Sequence, residues 1–216
     1  MNKTPFVVLL VAMACCNIAV GGEIQDAAKK GDLTKVTVLV TINPQLLSNK
    51  DSDGRTPLHW AAVKDHKDSV KFLLANNADT DAKDNKGATP EDLALEKGHK
   101  ETVELLRTHK LSVELLEAAR VGDTAQVEAV LNKGANVNEM LTYRTSVGSQ
   151  EIAVAVTPLM LAAQEDQIKI VKLLLARGAD VNAKSSAGPS ALIQACQAGH
   201  EEVAELLIAH KVGALV

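Results

Sequence analysis

Histidine and tryptophan stand side by side in "TPLHWAA", Thr56 to Ala62, and five further histidines and Cys196 are spread along the rest of the chain. Imidazole and thiolate are the groups that hold zinc or drive nucleophilic attack, provided that spacing gathers them with a base or with further ligands. Here they are scattered. The chain contains no H-E-x-x-H, no G-x-S-x-G, no Walker loop and no G-x-G-x-x-G. Catalysis has no constellation to stand on, and no metal or cofactor is expected.

The elements that must position these residues are small. Of 216 residues, 46% are hydrophobic and 23% charged, yet only two Phe, one Trp and one Tyr are present. A core of Ala, Leu, Val and Ile suits many short, closely packed helices. The first 22 residues read as a secretory signal: Lys3 beside the amino terminus, an apolar run from Phe6 to Ala14, then small residues, with cleavage after Ala14 or near Gly21. Extended to Val20 the run has fifteen positions and includes Asn17, short of the roughly 20 that a spanning helix needs. Cys15 and Cys16 follow it directly, and "AMAC" resembles the acylation site of a bacterial lipoprotein, with Ala12 where that motif prefers Leu. The expected location is exported, periplasmic or extracellular, with Cys196 the only cysteine left and no disulfide framework. Without Lys3 the 23 basic residues fall to 22 against 27 acidic ones, a net charge of −5, from which neither a nucleic-acid footprint nor a strong pull toward anionic lipid follows, and neither nucleic acid nor membrane insertion after signal removal is expected.

Internal repetition is the strongest signal. "TPLHWAA" at Thr56 returns as "TPEDLAL" at Thr89, and "TPLMLAA" at Thr157 returns as "SALIQAC" at Ser190, each 33 residues later. An apolar run follows every copy: "SVKFLLANNAD", "TVELLRTHK", "IVKLLLARGAD" and "VAELLIAHK". Each unit is thus two short helices and a connecting finger. Thr56, Thr89, Thr157 and Ser190 carry hydroxyls fit to cap a helix start, and Pro57, Pro90 and Pro158 fill the first helical position. Gly134, Gly178 and Asn77 fall after the second helix, where the backbone turns left-handed.

On "DGRTPLHWAA", "GADVNAK", "GANVN" and the Gly-His links at Gly98-His99 and Gly199-His200, the chain resembles the ankyrin-repeat family. The resemblance implies an all-α solenoid of helix pairs with β-turn fingers. Degenerate copies at Ile24–Val40 and Val113–Asn138 bring the count to about six pairs. A second period of 101 residues relates Thr56 to Thr157, Ala94 to Ala195, His99 to His200 and His109 to His210. The predicted organisation is a signal over 1–22, one three-repeat block over 23–110 and a second over 111–216.

Repeat position accounts for all six histidines, and His59 is expected to fix the start of its helix. Cys196 replaces the second alanine of an "AA" pair and is expected to be a buried, inert thiol. The resemblance implies that the slot after His59 faces a concave groove. It holds Trp60, then Leu93, Leu161 and Gln194, giving an apolar floor edged by Arg55, Lys64, Glu96, Lys97, Gln164 and Glu165. Apolar centre and polar rim are how interfaces are built, and Trp is a frequent hot spot. One finger departs from the pattern: Glu139 to Val156 is eighteen residues where Ala183 to Pro189 is seven. Met140–Thr145 and Glu151–Val156 are β-prone around "SVGSQ", so a hairpin carrying Tyr143 and Arg144 is expected.

The resulting expectation is a monomeric, non-enzymatic scaffold that binds a protein partner through Arg55, Trp60, Lys64, Leu93, Tyr143, Arg144, Leu161, Gln164 and Gln194. An inhibitor or immunity protein that plugs an exported enzyme with the 139–156 finger is a sharper alternative. A lipid-anchored envelope protein changes the location more than the mechanism.

Overall fold

The computed structural model describes residues 22–147 and 150–213, without the side chains of 143–147, 150–153 and 211–213. The expected signal over 1–21, with Cys15 and Cys16, lies outside the described residues. In chain order the elements are α1 (Glu23–Lys30), α2 (Leu33–Ile42), a 3-10 turn (Pro44–Ser48), α3 (Pro57–Val63), α4 (Lys67–Ala75), α5 (Pro90–Glu96), α6 (Lys100–Val121), α7 (Thr124–Asn132), β1 (Leu141–Val147), β2 (Gln150–Val156), α8 (Pro158–Gln164), α9 (Ile168–Ala176), α10 (Ala191–Ala198) and α11 (Glu201–Gly213). No described helix is long and apolar enough to cross a membrane.

Local chemistry explains the helix starts. Thr89 and Asp92 form a reciprocal cap, with Asp92 N donating to Thr89 Oγ1 at 3.2 Å and Thr89 N donating to Asp92 Oδ2 at 2.9 Å. Thr157 repeats the device with a thioether, its N–H lying 3.5 Å from Met160 Sδ. Ser190 precedes α10 as expected, but its hydroxyl makes no cap bond. Between the helices of a pair the chain turns left-handed, and Asp65 (φ 56°) and Asp166 (φ 55°) hold that conformation without being glycine. Asn77 does the same after α4, at φ 64°.

Two compact units result, Met1–Arg107 and Thr108–Val216. Buried Ile24, Ala28, Leu58, Val70, Leu73 and Leu106 belong to the core of the first. Leu115, Val127, Leu159, Ile170, Leu174 and Leu207 belong to the core of the second. The unit boundary falls inside α6, a single helix of 22 residues, because the stretch from Thr108 to Ser112 contains neither Gly nor Pro to stop it.

Within each unit the repeats are stitched by side chains reaching back one repeat. His66 Nε2 meets Lys29 O at 3.1 Å, His99 Nε2 meets Val63 O at 3.0 Å and His200 Nε2 meets Gln164 O at 2.9 Å. A ring nitrogen facing a carbonyl must carry the proton, so all three imidazoles donate through Nε2. Neighbouring fingers interlock likewise: Asn85 Nδ2 donates to Ser52 O at 2.9 Å, and Lys50 Nζ to Lys83 O at 2.8 Å. Gly54 makes that approach possible, since a Cβ there would lie 2.3 Å from Asn85 Oδ1 at φ +76°. Gly54→Ala is therefore expected to destabilise the protein by more than Gly87→Ala, whose added methyl meets open space at φ +82° and costs only the left-handed strain of about 1–2 kcal/mol. Urea denaturation of both variants checks this.

The long finger is a hairpin in which β1 and β2 pair antiparallel from Leu141↔Val156 to Val147↔Gln150. Its strands run further toward the tip than the β-prone stretches suggested, to Val147 and from Gln150. Leu141 and Val156 close its base inside the second core, at 5% and 4% exposure.

Candidate partner-binding surface

His59 is fully buried. Its Nδ1 accepts from Thr56 N at 3.1 Å, and its Nε2 donates to Ala88 O at 3.1 Å in the next finger. Burial holds this imidazole below its ordinary value, against the opposing pull of the Ala88 carbonyl and the Asp84 charge. It is a neutral strut between helix start and finger.

Trp60, the next residue, is half-buried and packs against the first core. Its Nε1 donates to Asp51 Oδ2 at 2.6 Å. Lys29 Nζ and Arg55 Cζ lie 4.5 Å and 4.8 Å from the ring centroid, within cation–π range. Arg55 Nε in turn donates to Asp84 Oδ2 at 3.4 Å. Burial pushes both Asp51 and Asp84 upward, yet each ends below the usual carboxylate range. For Asp51 the indole N–H and the amides of Arg55 and Asp53 outweigh burial, and for Asp84 the amides of Ala88 and Lys86 and the Arg55 side chain do. Trp60 and Arg55 thus form one braced network, with Lys64 exposed a turn further along.

The apolar floor is a correction. Leu93 is 5% exposed and Leu161 is 1% exposed, so both are core residues and neither lies on an open groove. Leu161 belongs to the second core, and α8, which carries it, packs against both α9 and α10, so its slot faces neighbouring helices. Gln194 in the same slot is partly buried, and Gln164 is exposed. Cys196 is a second correction: it is exposed. The matching alanines, Ala62 and Ala163, are fully buried, whereas Leu95 in the same slot is 58% exposed.

Tyr143 and Arg144 lie on β1, paired with Val154 and Ala153, and their side chains are outside the described residues. The foot of their hairpin is built in detail. Asn138 Oδ1 accepts from Asp180 N at 2.8 Å, and Asn138 Nδ2 donates to Gly178 O at 3.1 Å. On the returning strand Ala155 N donates to Ser186 Oγ at 2.8 Å, and Ser186 N donates to Ala155 O at 3.1 Å.

Glu139 turns the other way. One carboxylate oxygen accepts from Ser112 Oγ at 2.6 Å, and the other lies 3.8 Å from His109 Nδ1, an ion-pair distance. Burial pushes the Glu139 carboxyl up, but His109 and the Ser112 hydroxyl bring it below its ordinary value. Ser112 and His109, at 1% and 7% exposure, sit one turn apart on α6. The carboxylate stands between hydroxyl and imidazole, so His109 is not placed to take the Ser112 proton, as nucleophilic catalysis would need. Repeat position explains His109 in the sequence, and nothing in the motif singles out Ser112 or Glu139. The one available signal was a Ser and a His spaced i, i+3 in a stretch without a finger. Among the described residues no His, Cys, Asp or Glu gather as metal ligands.

Comparison with known proteins places this geometry. Residues 24–115, and again 115–215, match a family described as "Ankyrin repeats (3 copies)". The chain is 33% identical, over 84% of its length, to "Ankyrin repeat and KH domain-containing protein mask-1" of Caenorhabditis elegans, but spans only 5% of that protein. It is 37% identical over 44% of its length to "E3 ubiquitin-protein ligase XBAT33" of Arabidopsis thaliana, of which it spans 17%. With "Probable 26S proteasome regulatory subunit p28" of Saccharomyces cerevisiae it shares 31% identity over 88% of its own length and 85% of that protein's.

Proposed function

The chain belongs to the ankyrin-repeat family, a family of protein–protein interaction scaffolds, and from that premise we propose that it is a non-enzymatic, exported scaffold that engages one protein partner through the long finger over 139–156. The carrying observation is the hairpin itself. Seven residues suffice for the finger that follows, so β1 and β2 exceed what stacking needs, and loops raised on a rigid scaffold are where binding concentrates. Tyr143 and Arg144 are the finger's proposed contacts. Arg55, Trp60 and Lys64 of the first unit and, separately, Gln164 and Gln194 of the second are further proposed contacts, and Leu93 and Leu161 leave the set because they are interior.

The p28 relative, matched along most of its length, carries the role of regulatory subunit in its name, which supports a binding role for such a stack. Ligase activity is not carried over from a relative of which the chain spans 17%. Export rests on Lys3 and the apolar run from Phe6.

The test replaces residues 139–156 by the seven residues Ala183–Pro189 and passes variant and wild type over the exported fraction of the host. The expected result is one protein retained by wild type and lost by the variant, with helical content unchanged. Equal retention removes the finger from the function. Amino-terminal sequencing of the mature protein tests export, which predicts a start between residues 15 and 23.

A further inference from the structure

We infer that Ser112, Glu139 and His109 form a latch that fixes the direction of the long finger, which makes them positioning residues for the partner contact proposed above. A two-stranded hairpin is at best marginally stable in water, so the order and aim of β1 and β2 must come from their foot. Asn138 and Ala155 tie that foot toward the following repeat, through Gly178, Asp180 and Ser186. Leu141 and Val156 seat the base of the strands in the second core, and these polar ties hold one side of the foot.

Glu139 supplies the opposing tie, to α6. It is adjacent to Asn138, so two successive residues grip opposite neighbours, and their opposed pulls set the angle at which β1 departs. The Ser112 hydroxyl has one proton and two acceptors in reach, Glu139 Oε2 at 2.6 Å and Thr108 O at 3.0 Å. The shorter, charged acceptor takes it. A helix-capping role does not explain this bond, because Ser112 lies in the middle of α6. A core-packing role does not explain the choice of a carboxylate there either. A finger held at a set angle loses less freedom on binding, so the latch converts an insertion into a preorganised probe. The purpose of the latch rests on the finger reading, whereas its geometry does not.

The test is hydrogen exchange on the full-length Ser112→Ala protein, resolved by segment. Amides of 141–147 and 150–156 are expected to exchange about tenfold faster, with α8 and α9 unchanged. Glu139→Ala, which removes the His109 contact as well, should accelerate them at least as much. Glu139→Gln, which keeps an acceptor for Ser112, should fall between, and it carries the test if Ser112→Ala does not fold. Unchanged hairpin exchange, or acceleration spread evenly over the second unit, overturns the latch. The protein retained by wild type in the capture experiment then supplies the second readout. Weaker retention by Ser112→Ala supports positioning, and unchanged retention with a loosened hairpin overturns it. If the finger replacement leaves retention intact, the functional reading falls while the exchange result still judges the latch.

Discussion

Truncating Leu161 to alanine is expected to lower the free energy of unfolding by about 2–5 kcal/mol, the range for a buried leucine whose cavity only partly collapses. Leu161 is 1% exposed among Leu159, Met160, Leu174 and Ala191, all buried in the same core. A leucine on an open groove would change stability by no more than about 0.5 kcal/mol when shortened. Urea denaturation followed by far-ultraviolet circular dichroism separates the two cases. Gln164→Ala, at an exposed position three residues on in the same helix, is the control and should stay within that smaller range. A small effect at Leu161 would return it to the surface and revive the groove.

His59→Ala should be comparably costly, for a different reason. It strands the Thr56 N–H, a partner of a fully buried ring, and removes one of the two donors to the Ala88 carbonyl, which keeps the Asp84 N–H at 2.9 Å. An unsatisfied buried group costs about 1–3 kcal/mol, which is expected for the Thr56 N–H, and the lost packing of the buried ring adds to it. The same site carries a pH signature. Because burial lowers the folded-state value, the unfolded chain takes up a proton on His59 before the folded chain does. Stability should therefore be indifferent to this group above its ordinary value of 6.5 and should fall as the pH drops below it. The slope has a ceiling of about 1.4 kcal/mol per pH unit. Unfolding free energies of wild type and His59→Gln at pH values above and below 6.5, all held above the carboxylate range, isolate it. A wild type no more acid-sensitive than the variant would show that His59 is not held neutral by the fold.

Much of this molecule is readable along the chain because repeats rely on short-range chemistry. Thr89 caps its helix using Asp92, three residues away, and Asn77 turns left-handed beside the helix it ends. The period of 33 follows from such local signals recurring, and with it come the helix pairs, the links and the odd finger. The hairpin was within reach too, since β-branched runs on either side of a glycine pair locally.

Exposure was not within reach, because it depends on what the next repeat covers. Trp60, Leu93, Leu161 and Gln194 share one slot, yet two of them are interior and two only partly covered. Ala163, Leu95 and Cys196 share another, the first buried and the other two exposed. The grip of Ser112 on Glu139 spans 27 residues and joins a helix to the foot of an insertion, so no periodicity announces it. Repetition along the chain decided which elements form. Only packing between repeats decided which side chains of those elements face a neighbour, which face water, and where the finger is held, because burial and long-range hydrogen bonds belong to pairs of surfaces rather than to positions in a motif.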